Sequence, residues 1–483
     1  MLTLGVTFAT VVGWWVLASW AKPKLPYPPG PKGLPFIGNV LDIDPQAPRP
    51  TYAQWSKTYG DIVYIRIFGQ DIIIVNSEKT ARILADGRSE IYSDRYRSSV
   101  YKHFGTSRVT FVLEYGKEWK THRKLFHLSL RNDVVGRYND LHLNHARQLS
   151  ENILRDNSNS FEHLDLYANA IITELVYGRR VEGKDDPVFV MASALTEVLN
   201  KEVTADRIGL VKVMPFLLHL PSWFPGAGFK RKARQCRKLA TEMVDLPFAM
   251  AKDELERGVL PHCMISDMLK QGGVEESSAK AAVSSTASVL KTIMLVMILH
   301  PDVQDKVHAE LDTVVGRGTI PTFADRPRLP YLQAVLYEVM RWNPPASLGL
   351  PHATTTSDIY EGYYIPKGTL VHFIFANRAM KDHGYDDPDR FDPTRHLTPD
   401  GQLSPESRQH NLIFYGFGKR VCPGRFFADH SIWAATAVIM STLKFGKAKD
   451  SSGKYIEVEP IFPNGLISCP APFSCSVTSR PVE

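Results

Sequence analysis

Residues Leu290 to Leu299, LKTIMLVMIL, are apolar on every side of a helix except at Lys291 and Thr292, and Pro301 lies just beyond. A helix without a polar face has to be enclosed, and a proline cannot continue it. The stretch predicts a core helix crossing the middle of a folded body. The next segment, PDVQDKVHAELDTVVG, opens on proline and aspartate, spaces Val303, Val307, Leu311 and Val314 along one face, and stops at Gly316. That is the pattern of an amphipathic helix.

Two β-rich runs flank Gly69 to Asp71 in DIVYIRIFGQDIIIVNS, which predicts an early hairpin, and YEGYYIPKGTLVHFIF is a later strand-like run. Between them the pattern is mostly helical. A length of 483 residues suggests roughly three domains at about 150 residues each. There is, however, no internal repeat, low-complexity tract or Pro/Gly linker in the body, which favours one large domain.

With 44% apolar and 22% charged residues the chain is of globular composition, so disorder is set aside. The net charge of +6 is not gathered into a basic stripe with interleaved aromatics, which argues against nucleic acid as a partner. The cysteines, Cys236, Cys263, Cys422, Cys469 and Cys475, are widely spaced and form no CxxC. Neither a disulfide framework nor a zinc module is expected.

From Leu2 to Trp20 there are nineteen residues without a charge, about 28 Å as a helix, close to the thickness of a bilayer's hydrocarbon core. With no basic residue before this run and no small-x-small site after it, residues 1–21 are expected to be an uncleaved transmembrane anchor rather than a signal peptide. Lys22, Lys24 and Lys32 follow, which places the body on the cytoplasmic side, with Trp20 at the interface. Residues 22–35 carry six prolines and are expected to be a stiff, extended hinge, leaving 36–483 as the body.

One cysteine stands in an unusual setting, YGFGKRVCPG, Tyr415 to Gly424. A thiolate that acts as nucleophile or metal ligand needs positive charge, close backbone approach and often a helix N-terminus. Here Gly416, Gly418 and Gly424 permit tight turns, Lys419 and Arg420 are cationic, and RFFADHSIWAATAVIMSTL starts a helix directly afterwards. The spacing resembles the haem-binding loop of the cytochrome P-450 family, FxxGxRxCxG, with Gly418, Arg420, Cys422 and Gly424 in place and Tyr415 in the position of the usual phenylalanine.

The resemblance runs through nearly the whole chain: anchor, proline hinge, early hairpin, WxxxR, ExxR, a PxRF-like segment and the cysteine loop, in that order. It implies a mainly α fold with a small β portion and haem between the long central helix and the loop. Cys422 would be the axial thiolate of haem b. Trp119 and Arg123, one helical turn apart in EWKTHRKLF, look like the family's WxxxR and would reach a haem propionate, with Arg420 and His352 of GLPHAT completing the cradle.

Glu338 and Arg341 lie three residues apart in YLQAVLYEVMRWNPP. Periodicity alone makes them a surface ion pair, because Leu332, Val335, Leu336, Val339 and Met340 define the apolar face and Arg341 points away from it. The resemblance makes them the family's ExxR pair, locked to Arg395 of PDRFDPTRH, with His396 where phenylalanine is common.

Counted back from Pro301, AAVSST, Ala281 to Thr286, occupies the place of the family's AGxDTT-like oxygen-activation motif. Ala282 replaces glycine, Ser284 the acid and Ser285 the threonine, so hydroxyls at Ser284, Ser285 and Thr286 remain while the carboxylate is lost. Glu275 and Glu276 lie close before the motif, so the helix looks about two turns short. ANRAMKDHGYDDP is also compact.

The expected function is a single-pass, endoplasmic-reticulum-anchored haem-thiolate monooxygenase. It would insert one atom of O2 into an apolar organic substrate, with electrons from NADPH through NADPH-cytochrome P-450 reductase. Lys117, Lys120, Lys124, Lys419 and Arg425 are candidates for the docking surface, against the alternative of a merely solvated basic face. The loops YRSSVYKHFG and LHLPSWFPGAGF would contact substrate, and their flavour resembles fungal secondary-metabolism and xenobiotic members. A haem-thiolate peroxide isomerase or dehydratase, and an inactive haem-binding relic, are the alternatives that the weak AAVSST motif leaves open.

Overall fold

The computed structural model describes residues 25–44, 48–96, 98–107, 109–202, 211, 218–224, 228–270, 283–375, 387–463 and 467–480. The apolar N-terminal run, Glu275, Glu276, Ala281, Ala282 and all but the end of ANRAMKDHGYDDP lie outside them. No single helix among the described residues is long and apolar enough to cross a membrane.

The chain opens with helix α1 (Pro48–Tyr59) and the strands β1 (Ile62–Ile67) and β2 (Gln70–Val75), which pair antiparallel from Ile62↔Val75 to Ile67↔Gln70. The hairpin is there as expected, but its turn is Phe68–Gly69, with φ of 46° and 75°. Two successive positive φ values match the right-handed twist of the strands, which is why so short a turn suffices. β3 (Asp94–Arg95) and β4 (His352–Ala353) pair with each other, and β4 also pairs with β7 (Leu370–Phe373). The five-stranded sheet has the order β1-β2-β7-β4-β3.

The later strand-like run does not form one strand. β5 (Asp358–Tyr360) and β6 (Tyr363–Ile365) make a separate two-stranded ribbon, and Pro366 to Gly368 turn the chain into β7. Pro366 has no N–H for a ladder, and Gly368 has φ of 78°, so the strand has to break there.

Helices follow: α2 (Lys117–Leu130), α3 (Asn139–Arg155), α4 (Ser160–Tyr177), α5 (Pro187–Glu202) and α6 (Phe229–Glu256). Then come α7 (Val283–Leu299), α8 (Pro301–Val314), α9 (Pro330–Trp342) and α10 (Arg425–Thr442). A ribbon of β8 (Leu443–Lys447) and β9 (Cys475–Ser479) ends the described chain. α7 is the expected core helix, with Leu295, Val296 and Met297 wholly inaccessible, packed against α4, α9 and α10. Enclosing one such side chain stabilises the fold by about 1.5–3 kcal/mol.

The polar exceptions in α7 are both satisfied. Lys291 Nζ donates to the Asp165 carboxylate of α4 at 2.7 and 2.8 Å, and Thr292 Oγ1 donates to the Ser288 carbonyl at 2.9 Å. At His300 the chain bends by 105° into α8, whose Val303, Val307 and Leu311 are buried as the spacing predicts.

Residues 25–35 are extended, but they lie on the body instead of standing clear of it. Tyr364 N–H donates to the Pro26 carbonyl at 2.7 Å, Tyr64 N–H to Pro29 at 2.8 Å, and Tyr27 stacks on Tyr64 at 4.6 Å. Gly30 is required by this docking, because a Cβ would come within 1.9 Å of the Tyr64 carbonyl oxygen.

Candidate active site

The cysteine loop is shaped by glycines at positive φ and closed by the helix that follows. Short 3-10 turns, Ile413–Tyr415 and Gly418–Arg420, bring the chain back so that Cys422 N–H donates to the Tyr415 carbonyl at 2.7 Å. Gly424 then caps α10. Burial pushes the half-buried Cys422 thiol up, while the Gly424 backbone N–H and the charges of Arg123 and Arg425 pull towards thiolate. Those groups supply the positive field that a thiolate ligand needs.

Trp119 and Arg123 of α2 face this loop. Trp119 is buried, with the Arg420 guanidinium 4.4 Å and the Arg123 guanidinium 5.8 Å from its ring centre. Arg123 Nη1 donates to the Val421 carbonyl at 2.6 Å, so this side chain braces the residue before the cysteine. Arg420 spends Nε on the Ser93 carbonyl and Nη2 on the Leu113 carbonyl, both at 2.7 Å.

Beside Arg420 stands Arg95 of β3, which the sequence reading missed. Its Nη1 donates to the carbonyls of Leu350 and Pro351 at 2.6 and 2.7 Å. Burial pushes Arg95 down to about 10, and burial together with Arg95 pushes Arg420 down to about 8. His352 is buried alongside, its Nδ1 donating to the Tyr92 carbonyl at 2.7 Å, and burial plus Arg95 and Arg420 hold it well below its ordinary range.

Arg95 Nε and Arg420 Nη1 are buried without a hydrogen-bond partner among the described residues. Clustered buried guanidiniums cost several kcal/mol unless an anion joins them. The cluster therefore fits an acidic group such as the two carboxylates of a haem, and planar guanidinium suits carboxylate geometry.

Glu338 and Arg341 are not a surface pair. Every residue of α9 from Leu332 to Arg341 is buried, because the segment Pro388–His396 covers the side that periodicity assigned to water. Arg341 donates to the Glu338 carboxylate at 2.6 and 2.7 Å and to the carbonyls of Pro388 and Arg390 at 2.5 and 3.0 Å. Arg395 Nε stands 3.6 Å from Glu338, and the nearer third partner is His396, with Nε2 at 3.1 Å. Burial alone would push the Glu338 carboxyl up, but Arg341 and His396 outweigh it and hold it below its ordinary value.

In the central helix, Thr286 is buried and Ser285 half-buried, both in the first turn of α7. The Ser284 side chain lies outside the described residues. α7 packs on α10, the helix that starts at the cysteine loop.

The sequence pattern of the cytochrome P-450 family matches residues 28–474. The chain belongs to the cytochrome P-450 family. It is 35% identical over 97% of its length to cytochrome P-450 monooxygenase 136 of Postia placenta, 90% of which is covered. Cytochrome P-450 monooxygenase COX1 of Coprinopsis cinerea is 32% identical over 97% of this chain and 95% of its own length. Cytochrome P-450 monooxygenase claR of Ampulloclitocybe clavipes is 34% identical, with 97% and 89% covered. The enzyme is thus a haem-thiolate monooxygenase of a fungal type, and the family implies haem iron, a redox partner and a small-molecule substrate.

Of this cytochrome P-450's docking candidates, Lys117, Lys120 and Lys124 are exposed on one helix, α2. Lys419 is engaged instead, by the Glu90 carboxylate and by Tyr115 Oη at 2.8 Å. Arg425 lies over the Phe426 ring at 4.3 Å.

Proposed function

We propose that the protein is a membrane-anchored monooxygenase with Cys422 as the axial thiolate of haem b. It would insert one oxygen atom of O2 into an apolar organic substrate and reduce the other to water, using NADPH electrons delivered by NADPH-cytochrome P-450 reductase. The anchor would be residues 1–21 in the endoplasmic reticulum membrane, with the body in the cytoplasm. The observation that carries the reading is the buried Arg95–Arg420–His352 cluster, with its unpartnered Arg95 Nε and Arg420 Nη1, beside a cysteine loop flanked by Arg123 and Arg425.

Bound haem supplies the oxygen-activating redox chemistry. The chain contributes orientation and charge. Arg95, Arg420 and His352 would fix the propionates, Trp119 would screen that edge from water, and the Tyr415–Cys422 backbone bond would aim the sulfur. Thr286 and Ser285 would hold a water and pass its proton, since the motif's usual carboxylate is a serine here.

The carbon monoxide difference spectrum of the reduced protein, made from this sequence unaltered, tests the reading. The long-wavelength Soret band of thiolate ligation is expected, and Cys422→Ser should abolish it while other buried-core properties persist. A parent chain without the band would overturn the proposal and favour the haem-binding relic.

A further inference from the structure

The cysteine loop leans on a segment far from it in sequence. After a short helix, Glu78–Ala81, the chain takes a π-helical turn at Arg82–Gly87, a rare widening that backbone hydrogen bonding alone does not favour. At Gly418, φ is +57°, and a Cβ would lie 2.0 Å from the Ala85 carbonyl oxygen. The glycine is therefore needed both for its conformation and for contact with the π turn.

In the same place the Asp86 carboxylate accepts the Gly418 N–H at 2.6 Å. Arg82 stands 3.6 Å from Asp86 and lies 6.0 Å from the centre of the buried Phe417 ring. We infer that Asp86 is a positioning residue for the cysteine loop: its bond to Gly418 holds the 3-10 turn against the π-helical segment and so fixes how Cys422 is presented. The inference rests on the reading of Cys422 as axial ligand. The widened turn has a purpose in this arrangement, because it carries Asp86 and the Ala85 carbonyl to the glycine together.

The Asp86 side chain is 43% exposed, so its removal opens no core cavity. Asp86→Ala, Asp86→Asn and Arg82→Gln holoenzymes are compared with the parent by two measurements. One is amide hydrogen exchange across residues 413–424, and the other is the rate at which mild urea converts the long-wavelength carbon monoxide band to the shorter-wavelength form. Asp86→Ala is expected to speed both by roughly tenfold, the scale of one charge-assisted hydrogen bond. Asp86→Asn, which keeps an acceptor oxygen, and Arg82→Gln should stay within about threefold of the parent.

Parent-like behaviour of Asp86→Ala in the exchange measurement would overturn the assignment. So would an Asp86→Asn chain as impaired as Asp86→Ala, because the amide oxygen can still accept. Failure of the underlying ligand reading is separable: it would appear as a Cys422→Ser chain that keeps the long-wavelength band.

Discussion

His308 of α8 is buried, and its Nε2 has no hydrogen-bond partner among the described residues. Burial, with Arg480 nearby, pushes its pKa down from 6.5 to about 4. An unfolded chain takes up that proton first, so the contribution of a neutral His308 to stability is fully present above about pH 6.5 and is lost as pH drops towards 4. Near pH 5 the loss should be about 2 kcal/mol, read as a smaller unfolding free energy in denaturant. His308→Gln should lack this component; equal pH dependence in both chains would acquit the histidine. Residues of this kind are hard to read in sequence. Arg95 had no spacing to betray it, because its neighbours Arg420 and His352 arrive through β3–β4 pairing and a distant loop. His396 could be noticed as a departure, yet its bond to Glu338 depends on how the Pro388–His396 segment wraps α9.

At the scale of elements, the apolar helix α7, amphipathic α8 and the β1–β2 hairpin were legible because periodicity and turn residues act locally. α9 misled for the opposite reason. Its pattern has a polar side, but tertiary contacts bury that side in charge-paired form, and only the family resemblance pointed inward. The cysteine loop was legible through its glycines; the π turn that braces Gly418 was not, since nothing in RILADG marks a change of helical pitch. For α7, Ser285→Ala with Thr286→Ala should lower product formed per NADPH by at least about tenfold, a modest share of what a positioned acid can supply. Coupling and turnover unchanged from the parent would dismiss the hydroxyl relay and revive chemistry that needs no proton delivery, such as peroxide rearrangement.

For the whole molecule, the exposed lysines of α2 lie on the helix whose Trp119 and Arg123 meet the cysteine loop, a short way from the chemistry they would serve. Reversing Lys120 and Lys124 to glutamate should slow reduction by the flavoprotein reductase about tenfold at low salt, leaving haem content alone. Stopped-flow rates that match the parent would remove α2 from the docking surface. The docked proline segment has a consequence of its own for such encounters. Only four residues separate Trp20 from Leu25, five Cα–Cα steps and so a tether of at most about 18 Å, and Pro26 is already stitched to Tyr364. A membrane that held residue 20, as proposed, would keep the β5–β6 ribbon close by, a mooring rather than a leash, and would narrow the directions from which a partner can approach before any charge is felt.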